Sequence, residues 1–465
     1  MAIMKDKMRK ERDAFGEVEV PIDAYWGVVT QRAIQHFQIS GRRFPVSFIR
    51  ALAEVKKACA KANLQMGKID EEKGRAVLAA VEEVLEEKHA EQFPLDVFQS
   101  GSGTQTNMNM NEVLANRANE LLGHPLGRKG PVHPNDDVNK SQSSNDVIPA
   151  AMHLSALHLL DSELSPALER LSKSLRKKTR EFRGIIKVGR THLQDAVPIR
   201  LSTEFEVYGR QVLANRRRLR SVCAELCYVP LGGTAVGTGI DADKNFGKLA
   251  VSYLKDITGF PFKLNPVKAE GIASHSPIVE TSAALRVLAL STLKIANDIR
   301  WMGSGPNAGL GELSLPSNEP GSSIMPGKVN PVQAEALIQV CLQVVGNDVA
   351  VSLGEGFGSI LDLNVAKPLM IINLLDSIKL LTNGIDSFVT LCLNGLKANR
   401  DRISSQLERN LMIVTNLVPL IGYNKASEIA RRASRSGKTI KETILEMGVK
   451  IEGNLDELLD PKRMV

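Results

Sequence analysis

Aromatic residues are scarce in this chain, and the usual signals of membrane insertion and export are missing. Phe, Trp and Tyr make up 4% of the 465 residues, which leaves few of the stacking platforms that single-stranded nucleic acid requires. No uninterrupted apolar run of about 18 residues occurs, so we expect no transmembrane helix. The first ten residues lack the apolar core and small-residue cleavage site of a secretory signal.

Cysteine is also sparse and badly placed for bridges or metal sites. The residues are odd in number, scattered, and unaccompanied by histidines at ligand spacing. Small buried hydrophobes of a reducing compartment explain them better. A cytoplasmic protein is therefore the simplest interpretation. The five are Cys59, Cys223, Cys227, Cys341 and Cys392.

The net charge of +7 leaves nucleic-acid binding open as a weak alternative. Basic residues are spread along the chain and mostly interleaved with acidic ones. The densest cluster, Arg216 to Arg218 with Arg220, falls in a helical pattern and is interpreted as a solvated face. A mild positive balance also favours the approach of a small dianion, as a long-range bias.

Helical periodicity dominates what is present. Leucines recur every three to four residues from Leu154 to Leu175, which predicts one apolar stripe over several turns, with Pro166 as a kink. Helices this long cannot bury their stripes alone, so a bundle is implied. Comparable stripes occupy 285–299, the segment after Pro331, and 368–393.

Changes in this pattern divide the chain into three predicted units. Residues 1–140 mix shorter helical patterns with turn-rich polar stretches, and residues 141–395 hold the long helices. Residues 396–465 contain compact helical pieces separated by glycines. The predicted fold class is all-α, with a mainly helical N-terminal domain, a central long-helix bundle and a small C-terminal helical domain.

Four polar, glycine-bearing stretches interrupt the helical patterns. Each places neutral hydrogen-bond donors, with few acids, beside the start of a helix. Backbone N–H groups at helix N-termini and Ser, Thr and Asn side chains together bind oxyanions well. Taken singly, each stretch also fits an ordinary capped helix start or polar loop. They cover 100–109, 133–146, 189–195 and 321–331.

Two of these stretches carry candidate catalytic groups. Ser322 becomes a base only if its pKa is lowered, and a nearby ammonium with aligned backbone donors has that effect. Lys328 follows six residues later on a Gly- and Pro-bounded loop, so it can fold back near Ser322, hold a substrate carboxylate, or lie free on the surface. His192 titrates near neutral pH, which suits general acid–base work, although a structural histidine is the alternative.

At these four stretches the sequence resembles the fumarase/aspartase superfamily, and specifically the fumarases that use no iron–sulfur cluster. Residues 321–331, GSSIMPGKVNP, match the superfamily signature in full, and the other stretches follow in the family's order over nearly the whole chain. The resemblance implies a three-domain helical subunit in a homotetramer with a twenty-helix core. Each active site would be assembled from three subunits, without cofactor or metal.

The resemblance also implies a reaction, the reversible hydration of fumarate to L-malate in the citric acid cycle, by anti addition through an aci-carboxylate. Ser322 would remove the C3 proton of malate, His192 would act on the departing hydroxyl through a water, and Glu335 would orient and charge this histidine. The implied binders of the substrate carboxylates are Ser102, Thr104, Ser143, Ser144, Asn145, Thr191, Ser323, Lys328 and Asn330. The implied second dicarboxylate site comprises His133, Asn135 and Asp136.

Aspartate ammonia-lyases are the nearest alternative on the same scaffold. They usually carry Gln in place of His192, lack the paired Asp136 and Asp137, and have Ala in place of Gly233, so all three positions favour the fumarases. A structural protein of the crystallin type is the alternative of another class. The presence of Ser322 and His192 argues against it.

A glycine-rich segment, 232–239, resembles a dinucleotide-binding loop by eye. The sequence gives no indication of a strand–helix–strand unit around it, which that kind of site requires. We therefore do not expect a nucleotide there, and the segment also resembles one found in the family.

Overall fold

The computed structural model describes residues 7–465, and helices make up 61% of the chain. Seventeen α-helices and ten short strands occur in the described range. The helices are α1 (Val28–His36), α2 (Val46–Gln65), α3 (Glu71–Leu85), α4 (Thr104–Leu121), α5 (Ser144–Leu159), α6 (Ser165–Glu181), α7 (Leu201–Glu225), α8 (Phe246–Thr258), α9 (Glu270–Ala273), α10 (Ser276–Met302), α11 (Val332–Gly358), α12 (Lys367–Phe388), α13 (Arg400–Glu408), α14 (Val418–Ile421), α15 (Tyr423–Ser436), α16 (Ile440–Met447) and α17 (Leu455–Leu458).

The strands form five two-stranded ladders within the described residues. Four pairs are antiparallel, and the pair of β5 with β6 is parallel. The strands are β1 (Met8–Asp13), β2 (Gly16–Pro21), β3 (Ile186–Thr191), β4 (Gln194–Arg200), β5 (Tyr228–Val229), β6 (Lys263–Leu264), β7 (Leu313–Ser314), β8 (Ser359–Ile360), β9 (Leu363–Asn364) and β10 (Lys397–Ala398).

The long helices lie where the leucine spacing predicts them. The stripe at 285–299 belongs to α10, the segment after Pro331 is α11, and α12 covers most of 368–393. The long stripe from Leu154 is divided between α5 and α6 by a π-helical turn, Leu160–Leu164. The irregularity therefore precedes Pro166 and takes the form of a π turn, one of the recognised ways in which a helix absorbs local disruption.

Contacts divide the chain into two compact units. The first unit comprises the chain up to Ser165 together with Arg217–Val287 and Leu342–Leu381, and in it α2 packs against α3, α5 and α8. The second comprises Pro166–Arg216, Leu288–Cys341 and Thr382–Val465.

The second unit contains the β3–β4 hairpin and a small core from the end of the chain. The hairpin packs against α13 and against the 3₁₀ turn Leu411–Leu417. Leu417, Ile429 and Ile440 lie fully buried in the core of the C-terminal segment. Gly437 and Gly448 end α15 and α16 in the left-handed conformation that suits glycine at a helix C-terminus.

α11 has an unusual distribution of apolar side chains. By length and composition alone this helix could cross a membrane, so the expectation that the chain has no candidate transmembrane helix was too strong. Core helices of soluble proteins meet the same length and composition criteria. Only 33% of its most apolar window is buried within the single chain. Four large apolar side chains remain exposed at heptad-like spacing, which we call the apolar stripe: Leu342, Val349, Leu353 and Phe357.

Candidate active site

A chain of four hydroxyl groups connects the first two predicted stretches. Ser100 Oγ lies 3.0 Å from Ser102 Oγ, which lies 2.6 Å from Thr104 Oγ1, and Thr104 Oγ1 lies 2.9 Å from Ser144 Oγ. We call these four residues the hydroxyl ladder. Each hydroxyl carries one proton, and three of the four protons are used within the ladder, so the intact ladder is neutral and keeps one proton to donate to an anion.

Two helix N-termini hold the hydroxyl ladder in place. α4 begins at Thr104, after Gly103 in the left-handed conformation (φ 75°). α5 begins at Ser144 and is capped by Ser143, whose Oγ accepts the N–H of Asn145 at 3.2 Å. Both helix dipoles therefore place partial positive charge beside the ladder, as an anion-binding site needs.

Asp146 anchors this corner from the buried side. One carboxylate oxygen accepts the N–H of Ser143 at 2.9 Å, and the other accepts the N–H groups of Gly232 and Thr234, each at 3.0 Å. Burial raises the pKa of Asp146 to about 6, against the effect of these backbone donors. The Asn145 side chain donates to the carbonyl of Ala235 at 2.8 Å, which attaches the same segment once more.

The environment of the 232–239 segment differs from the prediction. Parallel strands β5 and β6 do flank α8 around it, so the premise that no strand–helix–strand unit exists was wrong. Each strand has only two residues, too short to leave a periodic signal. The N–H groups of Gly232 and Thr234 donate to the Asp146 carboxylate. The segment therefore holds the start of α5 in place, and these two N–H groups are not free to bind a phosphate.

Gly101 is confined by a neighbouring backbone. A Cβ at this position would lie 1.6 Å from the carbonyl oxygen of Val365, so no other residue fits. The carbonyl of Gly101 accepts the N–H of Lys367 at 3.1 Å. The segment that precedes α12 is thereby fixed against the hydroxyl ladder.

The third stretch forms the tip of a β-hairpin. Thr191 of β3 pairs with Gln194 of β4, and His192 and Leu193 make the two-residue turn with φ of 56° and 60°. Turns of this kind match the twist of the strands but normally use Asn or Gly, so two larger residues here store backbone strain. Thr191 and His192 are exposed in the single chain. We call β3, the turn and β4 the His192 hairpin.

A buried ion-pair network holds the base of the His192 hairpin. Glu312 is fully buried; Arg190 donates to its Oε1 at 2.6 Å, and Lys187 Nζ lies 3.0 Å from its Oε2. Lys187 also donates to Glu204 at 3.0 Å. Charges this deeply buried require such partners, so the network fixes the strand that carries Thr191.

The fourth stretch, 321–331, is a closed loop that we call the serine loop. The N–H of Gly321 donates to the carbonyl of Lys328 at 3.0 Å, so the chain folds back on itself. Asn330 donates to the carbonyl of Gly321 at 2.6 Å and accepts a bond from Lys328 Nζ at 2.6 Å. Apolar side chains point outward, with Ile324 83% exposed.

Ser322 is the focus of the serine loop. Its Oγ accepts the backbone N–H groups of Ile324 and Met325, at 3.2 and 3.1 Å. Donors aimed at an oxygen favour its anionic form and so lower its pKa. Ser323 and Lys328 are exposed in the same loop, and Glu335 lies half-buried in the first turn of α11.

The candidate second dicarboxylate site is a short turn. His133 Nδ1 accepts the N–H groups of Asn135 and Asp136, at 3.3 and 3.2 Å, which caps the π turn Pro134–Val138. The same Nδ1 also lies 3.1 Å from Asp136 Oδ2. Asn135 and Asp136 are exposed.

The structure thus joins some of the candidate residues and leaves others apart. Ser102, Thr104 and Ser144 form one group with Ser143 and Asn145 beside them, while Ser322, Lys328 and Asn330 share the serine loop. Over residues 7–465, no hydrogen bond of the single chain connects His192 with Ser322 or Glu335. In the same range, no cluster of three or more His, Cys, Asp or Glu side chains is arranged to hold a metal ion.

Comparison with known proteins decides the family. A family model described as lyase matches residues 16–346, and another described as fumarase C C-terminus matches 413–465. The class II fumarate hydratase of Chromobacterium violaceum is 49% identical over 465 residues, which is 99% of this chain and 100% of that protein. That of Ralstonia nicotianae is also 49% identical, over 98% of this chain and 99% of its own length. This chain belongs to the class II fumarate hydratase family.

Solved structures agree with this assignment. The class II fumarase of Schistosoma mansoni matches with a TM-score of 0.95 and 37% identity, over 98% of this chain and 99% of that one. A protein of Brucella melitensis described as fumarate lyase:delta crystallin matches with a TM-score of 0.94 and 43% identity, over the same shares. The predicted helical fumarase/aspartase fold is therefore confirmed.

Two buried lysines of this family member were not anticipated from its sequence. Lys56 donates to Asn139 at 2.9 Å and to Gln142 at 3.0 Å, and Lys367 opens α12 next to Gly101. Both lie in apolar helical patterns, where a lysine is normally a solvated residue. The only local indication in the sequence was Pro368, which follows Lys367 and is typical of the start of a helix.

Proposed function

We propose that this chain is a fumarate hydratase, which reversibly adds water to fumarate to form L-malate. Relatives of that name match it at 49% identity over essentially their full length, and the candidate catalytic and binding residues of the family pattern are all present. The observation that carries the mechanism is the Ser322 oxygen, which already receives two backbone N–H groups.

In the proposed mechanism Ser322 acts as the base. Removing a proton beside a carboxylate is difficult because the product is a dianionic aci-carboxylate. Fixed donors around that carboxylate stabilise the developing charge, which is usually the largest catalytic contribution. We assign the two substrate carboxylates to Ser102, Thr104, Ser143, Ser144, Asn145, Thr191, Ser323, Lys328 and Asn330.

His192 is proposed to act on the departing hydroxyl through a water, with Glu335 as the carboxylate that orients it. The histidine is exposed on a strained turn, and buried ion pairs fix the base of its hairpin. Its side chain is therefore accessible to a neighbouring subunit. Because the single chain supplies no bond between His192 and either Ser322 or Glu335, we infer that neighbouring subunits complete the site.

The apolar stripe of α11 supports the same inference. Its side chains are 52% to 78% exposed in the single chain, which is a large apolar surface for a soluble protein. Packing against equivalent helices would cover it, as in the core of the homotetramer that we propose. We also propose a cytoplasmic location and the three-domain division at residues 140 and 395.

The direct test is the ultraviolet absorbance of fumarate after purified protein is mixed with L-malate. We expect fumarate to form from malate and not from aspartate. Formation from aspartate alone would replace this proposal with an aspartate ammonia-lyase. If neither substrate reacts in a folded tetramer, the structural, crystallin-like alternative takes its place.

Two substitutions test the assigned roles. Ser322→Ala should lower kcat by about a thousandfold, and His192→Asn by about a hundredfold, because each removes a proton-transfer group. Ser434→Ala, at an exposed position on α15, is the matched control and should leave kcat unchanged. Near-normal turnover of the first two variants, as tetramers with unchanged melting temperature, would refute the role assignments.

A further inference from the structure

Lys56 is a buried lysine that holds the loop in front of α5. It lies on α2 with 1% of its surface exposed, and its Nζ donates to Asn139 Oδ1 at 2.9 Å and to Gln142 Oε1 at 3.0 Å. We call residues 139–142 the Asn139 loop, which ends directly before Ser143, the cap of α5. An amine is costly to bury, and the reaction steps proposed above make no use of this one.

The two hydrogen bonds of Lys56 do not require a charged side chain. Burial lowers the pKa of Lys56 to about 7, so the ammonium and the neutral amine are both present near neutral pH. The neutral amine still has two N–H protons, one for each acceptor. Lys56 therefore acts on the Asn139 loop through directed hydrogen bonds in either form.

Asn139 connects two helices to this loop. Its Oδ1 also accepts the side-chain N–H groups of Asn107 and Asn111 on α4, each at 3.2 Å. Both of these asparagines are buried, and Asn107 follows three residues after Thr104, the ladder residue at which α4 begins. The Asn139 amide oxygen is therefore the point at which α2 and the start of α4 are joined.

The Asn139 loop also fixes the start of α5. Asn139 Nδ2 donates to the carbonyl of Gln142 at 3.2 Å, which closes the loop on itself. Asn63, which is also buried on α2, donates to the carbonyl of Lys140 at 2.8 Å. Because the loop is followed after one further residue by Ser144, its position constrains where the last ladder hydroxyl lies.

We propose that Lys56 is a positioning residue for the hydroxyl ladder. Through Asn139 and Gln142 it sets the distance between the N-termini of α4 and α5. The hydroxyl oxygens of Thr104 and Ser144 bridge these two helix starts at 2.9 Å, and a shift of about 0.5 Å would stretch that bond beyond its normal range. A displacement of either helix start therefore breaks the ladder in two. This inference rests on the proposed function, in which these hydroxyls bind a substrate carboxylate.

Lys56→Met tests this inference because it keeps most of the length of the side chain and removes both bonds. Asn139 Oδ1 keeps two donors, and Gln142 is half-buried, so we expect the variant to fold. KM for malate should rise about tenfold and kcat should change less than about threefold, because the ladder binds a carboxylate in both the ground state and the transition state. The dissociation constant of succinate, a dianion that cannot be hydrated, should rise by the same factor in a calorimetric titration.

Lys178→Met is the matched control, at another buried lysine. Lys178 is 3% exposed on α6, and its Nζ donates to the carbonyl of Leu396 and to Glu181, each at 2.7 Å. This variant should lose stability, because a buried carbonyl is left unpaired, while KM and the succinate dissociation constant stay within about twofold. The comparison separates a loss of stability from a displacement of the ladder.

Gln142→Leu keeps the test decisive if Lys56→Met does not assemble. It removes one of the two acceptors of Lys56 from the loop side, so KM and the succinate dissociation constant should rise about threefold or more. In the double variant with Lys56→Met, the two effects should be less than multiplicative, because both substitutions break the same hydrogen bond.

The outcomes separate the two proposals. If the unmodified protein does not interconvert malate and fumarate, the proposed function fails. If it does so but Lys56→Met, or Gln142→Leu in its place, leaves KM and the succinate dissociation constant within about twofold, the role of Lys56 is overturned while the proposed function stands. An equal rise in KM for Lys178→Met would also overturn it, because the effect would then follow stability and not the position of the ladder.

Discussion

The hydroxyl ladder is held by hydrogen bonds between neutral groups, two helix N-termini and the buried carboxylate of Asp146, whereas the His192 hairpin is held at its base by a buried ion-pair network. The ladder is completed within one chain, because Ser102, Thr104 and Ser144 already contact one another. The hairpin instead presents His192 outward, with no bond to Ser322 or Glu335. Under the proposed function, the groups for carboxylate recognition already lie together in one chain, whereas those for proton transfer would require neighbouring subunits.

The largest expected effect comes from separating the subunits. The double variant Leu342→Glu, Leu353→Glu places charges in the apolar stripe, so helices packed there would bury unpaired carboxylates. We expect dissociation, measured by sedimentation velocity, and a loss of activity of about a hundredfold or more, because His192 would lose its partners. Leu445→Glu, on the exposed surface of α16, is the control. If the dissociated monomer remained active, the proposed dependence of His192 on a neighbouring subunit would be wrong.

The base of the His192 hairpin gives the next largest effect. Glu312→Gln leaves Lys187 and Arg190 facing a neutral group in the interior, which should reduce the free energy of unfolding by about 3 kcal/mol or more. Urea denaturation measures this loss. Glu428→Gln, at an exposed pair on α15, should change little. Equal effects of the two substitutions would show that the hairpin does not depend on its ion-pair network.

The hydroxyl ladder should respond to a change of volume at Gly101. Gly101→Ala forces a methyl group against the Val365 carbonyl, and we expect a loss of about 2 kcal/mol in stability together with a raised KM. Gly209→Ala, in a helix where a Cβ meets nothing within 4 Å, should be neutral or slightly stabilising. Unaltered malate binding by Gly101→Ala would mean that the ladder tolerates displacement.

The fold could be predicted largely from apolar periodicity. α10, α11 and α12 follow the leucine stripes because those stripes are what long helices bury. The kink expected at Pro166 takes the form of a π turn directly before it, where the proline ring displaces the carbonyl four residues earlier. The strands β5 and β6 were missed because two residues cannot display a period.

The candidate site was predictable where short polar stretches lie next to helix starts. Ser102, Thr104 and Ser144 contact one another, so two of these stretches lie together in the structure, while their role in binding substrate stays a prediction. Lys56 and Lys367 were missed because burial is decided by contacts far away in sequence, and a lysine in a helical pattern looks the same whether it is buried or solvated. The proposed pairing of Glu335 with His192 across subunits stays a prediction.

The smallest expected effect concerns the candidate second dicarboxylate site, which offers a contrast with the ladder. His133→Ala removes the nitrogen that caps the turn at Asn135 and Asp136, so we expect a stability loss of about 1 kcal/mol. kcat and KM for malate should change less than about twofold, because the turn contributes only one capping group and exposed side chains, without the paired helix N-termini that support the ladder. Thermal unfolding and initial rates measure the two quantities. If His133→Ala raised KM as strongly as Gly101→Ala, this turn would contribute to malate binding together with the ladder.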